Sequence, residues 1–274
     1  SGRASHGRRL LRAEVLFPDP AAYRPRWLHL RRVSETLEVP IDPSRWPALH
    51  AWWSFVSRGT SRTLAKERAQ KAGLDDVFTA LESAGFVGER EEAPVDEAAH
   101  DEGLWFVGHN SLFVSSGRTR VVVDPWFRPW RDADPDGYRP LRACDLGRVD
   151  AICITHSHGD HFHLGSLLHF DPATPVLVPA VERESVLATD LVRRLRELGF
   201  QDVRAVPWWL SEKVGDATIE AIPFYGEQAN AIELVDPALR NVGNTWVVRT
   251  PGFSVAALAD TGRDPAGNMV EAGR

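Results

Sequence analysis

Six consecutive residues, His156-Ser157-His158-Gly159-Asp160-His161, place three imidazoles and a carboxylate within one short stretch. Imidazole nitrogens suit zinc or iron, and a carboxylate adds a hard oxygen and a negative charge. One cation cannot readily take all four donors from so short a loop. The spacing instead predicts two cations, with His156 and His158 on one and Asp160 and His161 on the other. Residues 149–154, just upstream, read as a short buried strand, so the donors would sit on the loop leaving its C-terminal end. A solvated, His-rich loop is the plain alternative, and the strand in front argues against it. Further imidazoles are scarce, because no histidine follows His169. Any additional donors from downstream must be carboxylates.

The pattern His-x-His-x-Asp-His after a strand resembles the metallo-β-lactamase superfamily, and the resemblance runs from about Leu104 to the end of the chain. It implies an α/β fold, an αββα sandwich, and three further ligands after the motif: one that is normally His, an Asp bridging two metals, and a closing His. Residues 253–262 form a hydrophobic strand followed by Asp260, which fits the bridging position. Residues 217–227 form the strand that should end in the first of these ligands, and that position carries Glu227. A carboxylate there departs from the zinc hydrolases. It is similar to the di-iron β-hydroxylase branch of the chloramphenicol-biosynthesis type, whose substrate is an amino acid tethered to a carrier domain. The resemblance thus implies a metal set of His156, His158, Asp160, His161, Glu227 and Asp260, with Asp160 and Glu227 closest to the chemistry. It implies two iron ions, an electron donor and a carrier-protein-bound or small-molecule substrate for a monooxygenase in antibiotic biosynthesis. Two zinc ions and hydrolysis of an ester, lactone or phosphodiester form the alternative, and a non-catalytic partner-binding module with an incomplete metal site is the third. The closing His is expected well after Asp260, yet none follows it, so the metal domain is expected to be C-terminally incomplete unless an upstream residue such as His109 substitutes.

The chemistry separates these alternatives. Two cations about 3.5–4 Å apart can share a bridging oxygen and a bridging carboxylate. For hydrolysis they acidify a bound water, which Asp160 would orient or deprotonate. Oxygen activation requires a metal that changes oxidation state, which zinc cannot do. An added carboxylate at Glu227 favours the higher oxidation state by Coulomb attraction.

Bulk properties exclude several other classes. A net charge of −6 argues against nucleic acid as the main partner. No apolar run approaches the roughly 20 residues of a membrane span. Two cysteines, Cys144 and Cys153, do not make a secreted disulfide framework, which favours the cytoplasm.

Three regions are expected. Residues 1–88 form a Trp-rich, partly helical N-terminal domain, residues 89–103 an acidic linker, and residues 104–274 the dinuclear metal domain. The first 32 residues hold eight arginines against Glu14 and Asp19, and Trp27, Trp46, Trp52 and Trp53 follow among prolines as a small core. This region is a candidate for docking or homodimer formation. Apolar spacing predicts a helix over 74–84 stopped by Gly85. Strands are expected at 104–107, 112–115, 120–123, 149–154, 203–206, 217–222, 245–248 and 254–259, with a helix over 180–198.

Each candidate has a structural alternative. Glu227 could cap a helix or pair with Arg240, Glu220 and Glu233 are rival carboxylates, and Asp260 could simply open a turn. His109 could orient a metal ligand or be a structural histidine. His163 and His169 are expected to face solvent or substrate, and Trp126 and Trp130 to line a substrate mouth or fill the core.

Overall fold

The computed structural model describes residues 12–16, 27–32, 35–87, 102–127, 141–182, 184, 189–225 and 243–261. Two stacked sheets and a helical layer organise them. The larger sheet has six strands in the order β4 (Gly103–Gly108), β5 (Ser111–Ser115), β6 (Arg120–Val123), β7 (Ala151–Cys153), β8 (Val176–Pro179) and β9 (Val203–Val206). The first three are antiparallel, and β6 to β9 run parallel. The smaller sheet is an antiparallel meander of β10 (Ser211–Val214), β11 (Ala217–Pro223), β12 (Asn244–Arg249) and β13 (Ser254–Ala257).

Alternation with period two explains how the layers adhere, because successive side chains of a strand leave opposite faces of the sheet. Val121, Val123, Ala151, Cys153 and Leu177 point toward the small sheet and meet Ile219, Ala221, Trp246 and Val248. Val122, Ile152, Val176 and Val178 point the other way, into a core shared with the helices. These strands are buried on both faces, which is why they read as unbroken apolar runs.

The helical layer consists mainly of α1 (Trp46–Val56), α2 (Arg62–Lys71), α3 (Asp75–Ser83) and α5 (Leu191–Leu198), with a one-turn α4 (Leu164–Leu167) after the metal loop. Trp46, Leu49, Trp52 and Trp53 are buried, so these tryptophans form core as the sequence suggests. The Trp52 indole N–H donates to the Ala65 carbonyl at 2.9 Å, joining α1 to α2. Helix α3 stops at Gly85, in a left-handed conformation at φ 70. Gly199 ends α5 the same way at φ 114, where a Cβ would lie 2.8 Å from the Pro47 backbone. Only glycine lets α5 seat on α1 there.

Several expectations are corrected. Among the described residues, the helix predicted over 180–198 is present at Leu191–Leu198, where the Asp190 carboxylate accepts from the Val192 and Arg193 amides and so marks its start. Strands β8 and β10 and helices α1 and α2 were not anticipated. Neither was an antiparallel sheet of β1 (Arg12–Leu16), β2 (Trp27–Arg32) and β3 (Glu35–Pro40) near the N-terminus. No helix among the described residues is long and apolar enough to cross a membrane.

Candidate metal centre

The loop that carries the donors is fixed at both ends by backbone contacts. After β7, the Ile154 carbonyl accepts from the Trp246 indole at 3.0 Å, and the Thr155 carbonyl accepts from the Asn244 amide at 2.7 Å. His156 then forms an isolated antiparallel bridge with Gly243. A Cβ on Gly243 would meet Phe224 at 2.6 Å and the Thr155 carbonyl at 2.8 Å, so this approach requires glycine. Past His158 the chain turns helically, with the His161 and Phe162 amides both donating to the His158 carbonyl.

Two groups of donors result. His156, His158 and Asp260 offer atoms within 4.8 Å of one another, and so do His109, Asp160 and His161. Asp260 Oδ2 lies 3.0 Å from His161 Nε2 and 3.8 Å from His156 Nε2, between the two groups. His156 and His158 thus share one group, and Asp160 and His161 share the other.

The most informative partner of the loop comes from outside the His-rich motif. Asp124, at the C-terminal end of β6, is wholly buried and accepts three hydrogen bonds: from the Thr155 amide at 2.7 Å, the Thr155 hydroxyl at 2.5 Å and His161 Nδ1 at 2.7 Å. Protonated Nδ1 leaves Nε2 of the neutral ring as a lone-pair donor facing the centre. Burial opposes charge on His161, but the Asp124 carboxylate more than offsets it and raises the imidazole pKa. Burial likewise raises the Asp124 pKa, against the pull of His161.

His156 has the reverse environment. Burial, followed by the positive potential of His161 and His158, lowers its pKa to about 3, so the ring is neutral. Its Nδ1 lies 3.0 Å from the Thr155 hydroxyl, its face stacks on Phe224 at 4.9 Å, and its buried Nε2 has no hydrogen-bond partner. A buried imidazole nitrogen without a partner is costly, and a cation at that position would resolve the cost. The donor chemistry fits as well: each group supplies two imidazoles and one carboxylate, with no thiol.

Asp160 is partly exposed, and His109 Nε2 lies 2.9 Å from its Oδ2. Partial burial opposes its charge, yet the His109 hydrogen bond and the nearby His161 keep its pKa below the usual carboxylate value. Asn110 reaches Asp260 Oδ1 at 3.3 Å.

Other candidates fall elsewhere. Glu227, Glu233, Arg240 and Trp130 lie outside the described residues. Glu220 projects away from the centre on β11 and pairs with Arg249 at 3.0 Å. His163 is half-buried: its Nδ1 caps α4 at Ser166 and its ring packs on Trp126. His169 is half-buried against Trp53 and Phe127, where burial lowers its pKa to about 4. Trp126 is buried against His109 and His163 and belongs to the packing.

Comparison with known proteins converges on one family. The model of the beta-lactamase superfamily domain matches residues 119–272. The chain is 31% identical over 232 residues to the 4-amino-L-phenylalanyl-[CmlP-peptidyl-carrier-protein] 3-hydroxylase of Streptomyces venezuelae, covering 82% of this chain and 41% of that protein. Its fold is similar to the crystal structure of CmlA, a diiron beta-hydroxylase from Streptomyces venezuelae, with a TM-score of 0.67 and 25% identity over 92% of this chain and 48% of that one. A UPF0173 metal-dependent hydrolase of Thermus thermophilus is 36% identical over 59 residues, 21% of this chain and 22% of the hydrolase. The chain thus spans less than half the length of the two Streptomyces relatives.

Proposed function

This chain belongs to the metallo-β-lactamase superfamily, and from that membership we propose that it carries the dinuclear iron centre of a hydroxylating oxygenase. The substrate we infer is an aminoacyl group tethered to a carrier protein, oxidised at its β-carbon in natural-product biosynthesis. The observation that carries this is the similarity, along 82% of the chain, to a hydroxylase named for a carrier-bound amino acid. The donor chemistry supports it, since imidazoles combined with carboxylates suit non-haem iron. In this proposal His156, His158 and Glu227 would hold one iron, Asp160 and His161 the other, and Asp260 lies where it could serve both.

When bound, the irons supply the change of oxidation state that dioxygen activation requires. The chain's own residues do the rest. Asp124 holds the His161 ring with Nε2 inward, and Phe224 covers one face of His156 and excludes water from it. Asp160, kept ionised by His109, is the carboxylate that would hold the second iron beside His161. Inserting one oxygen atom into a C–H bond while the other leaves as water consumes two electrons and two protons, so an electron donor is a required partner. Cys144 and Cys153, which form no disulfide, suit a reducing cytoplasm.

Similarity to the UPF0173 hydrolase favours a second reading, in which the same residues hold two zincs and Asp160 orients the attacking water. Metal analysis of anaerobically purified protein separates the two. Two irons, with oxygen consumed by the reduced protein, are expected; two zincs, with ester cleavage in the absence of oxygen, would overturn the oxygenase. Glu227→His is expected to shift preference toward zinc and slow oxidation by dioxygen. An unchanged oxidation rate would remove Glu227 from the ligand set.

A further inference from the structure

The turn joining β4 to β5 consists of His109 and Asn110, and both side chains reach carboxylates of the metal centre. We propose that this two-residue turn is a positioning device: His109 fixes the Asp160 carboxylate beside His161, and Asn110 takes Oδ1 of Asp260, turning Oδ2 toward His156 and His161. The inference rests on the dinuclear reading above and assigns work to two residues outside the ligand motif.

Three independent features of the turn support it. First, the backbone conformation is uncommon for any residue other than glycine. His109 has φ 51, in the left-handed region, where two-residue hairpins favour Asn or Gly. A non-glycine residue held there marks a position where the side chain is needed. Second, the strand leading into the turn is re-aimed. The β4–β5 register shifts between Phe106 and Gly108, and a Cβ on Gly108 (φ 153) would press on the Trp126 carbonyl at 3.3 Å. Such a bulge alters where the following side chains point. Third, the His109 ring is held on both sides, 5.2 Å from the Trp126 ring and 5.6 Å from that of His161.

The hydrogen bonds then have distinct consequences. The His109 Nε2–H donates to Asp160 Oδ2 at 2.9 Å, which holds that oxygen 3.9 Å from His161 Nε2. The Asn110 amide donates to Asp260 Oδ1 at 3.3 Å. With Oδ1 engaged, Oδ2 is the oxygen that lies between the two imidazole groups. Neither hydrogen bond adds a ligand. Each selects an orientation of a carboxylate that could otherwise rotate, and neighbours of metal ligands typically alter affinity by about 10- to 100-fold when removed.

The test is an equilibrium titration with cobalt(II), followed by its visible absorption, on wild-type protein and on His109→Gly, His109→Gln and Asn110→Leu. No substrate or oxygen is present, so the result is independent of the reaction. His109→Gly relieves the backbone while removing the ring's contacts, so its metal-free melting temperature should stay close to that of wild type. Its cation at Asp160 and His161 should nevertheless bind about 10- to 100-fold more weakly. His109→Gln, which restores an amide donor, should recover part of that affinity. Asn110→Leu should shift the cobalt spectrum of both sites, because Asp260 serves both. Variants that keep wild-type affinities and spectra would overturn the positioning role while leaving the dinuclear reading intact. Wild-type protein that takes up a single cobalt would overturn both.

Discussion

His50, on α1, and His161, in the metal loop, are both fully buried, yet their surroundings drive their protonation in opposite directions. His50 has the Phe170 carbonyl at 2.9 Å and the Phe200 ring at 4.5 Å. Burial dominates there and lowers its pKa to about 4. His161 meets the Asp124 carboxylate instead, and its pKa rises despite burial. The difference shows that exclusion of water does not by itself decide the state of a histidine here. One carboxylate at 2.7 Å reverses the outcome and at the same time fixes the ring's tautomer.

Removing that carboxylate should break the contrast most strongly. Asp124→Ala strands His161 Nδ1 and both Thr155 donors in the interior, and breaking a buried pair of this kind costs about 3–5 kcal/mol. Urea denaturation of the metal-free protein should register that loss, together with lost metal binding at His161. Stability within 1 kcal/mol of wild type would mean that water replaces the carboxylate without penalty.

The His50 side of the comparison sharpens with pH. The unfolded chain takes up the His50 proton near pH 6.5, whereas the fold resists it until about pH 4. Within that window the unfolded state binds more protons, so stability rises with pH. The contribution is complete above 6.5 and is lost as pH falls through about 4. Its size is about 3 kcal/mol at roughly 1.4 kcal/mol for each unit of pKa difference. His169, lowered to about 4 as well, acts in the same window. Melting curves from pH 7 to 4 should show the slope, and His50→Gln should flatten it.

The smallest effect is expected where a carboxylate is paired at the surface. Glu220 bonds Arg249 on the outer face of β11, with side-chain exposures of 28% and 48%. Glu220→Gln should change stability by less than about 0.5 kcal/mol, as exposed pairs do, and leave metal content untouched. A loss of metal in this variant would contradict the assignment of Glu220 to the surface.

What could be seen in the sequence follows from the distance between partners. His156, His158, Asp160 and His161 announce themselves because their spacing is local, and the strand before them is an apolar run. Asp260 was visible for the same reason, at the end of a hydrophobic strand. Asp124 was not, since its partners lie 31 and 37 residues away and only the parallel register of β6 with β7 brings them together. Asn110 was hidden likewise, 150 residues from Asp260. The signal that could have found Asp124 is its place directly after the Val121-Val122-Val123 run, where a parallel strand ends. Helix α5 was overextended because apolar spacing alone does not mark a start, whereas Asp190 as a cap does. In β3, alternation over Glu35–Pro40 carries a strand signal that the nearby excess of arginines obscures.

The contacts from Asp124 to Thr155 and His161 also bear on how the protein comes together. They bind the end of β6 to the segment after β7, so the donors converge only once those two strands have paired. An ion that recognises the assembled donors has little to hold in the unfolded chain. Its binding therefore pulls the folding equilibrium forward by mass action, worth about 2.7 kcal/mol when free ion exceeds its dissociation constant a hundredfold. On the dinuclear proposal, cation binding would add to the stability of the six-stranded sheet, and a chelator would lower the melting temperature toward that of the metal-free protein.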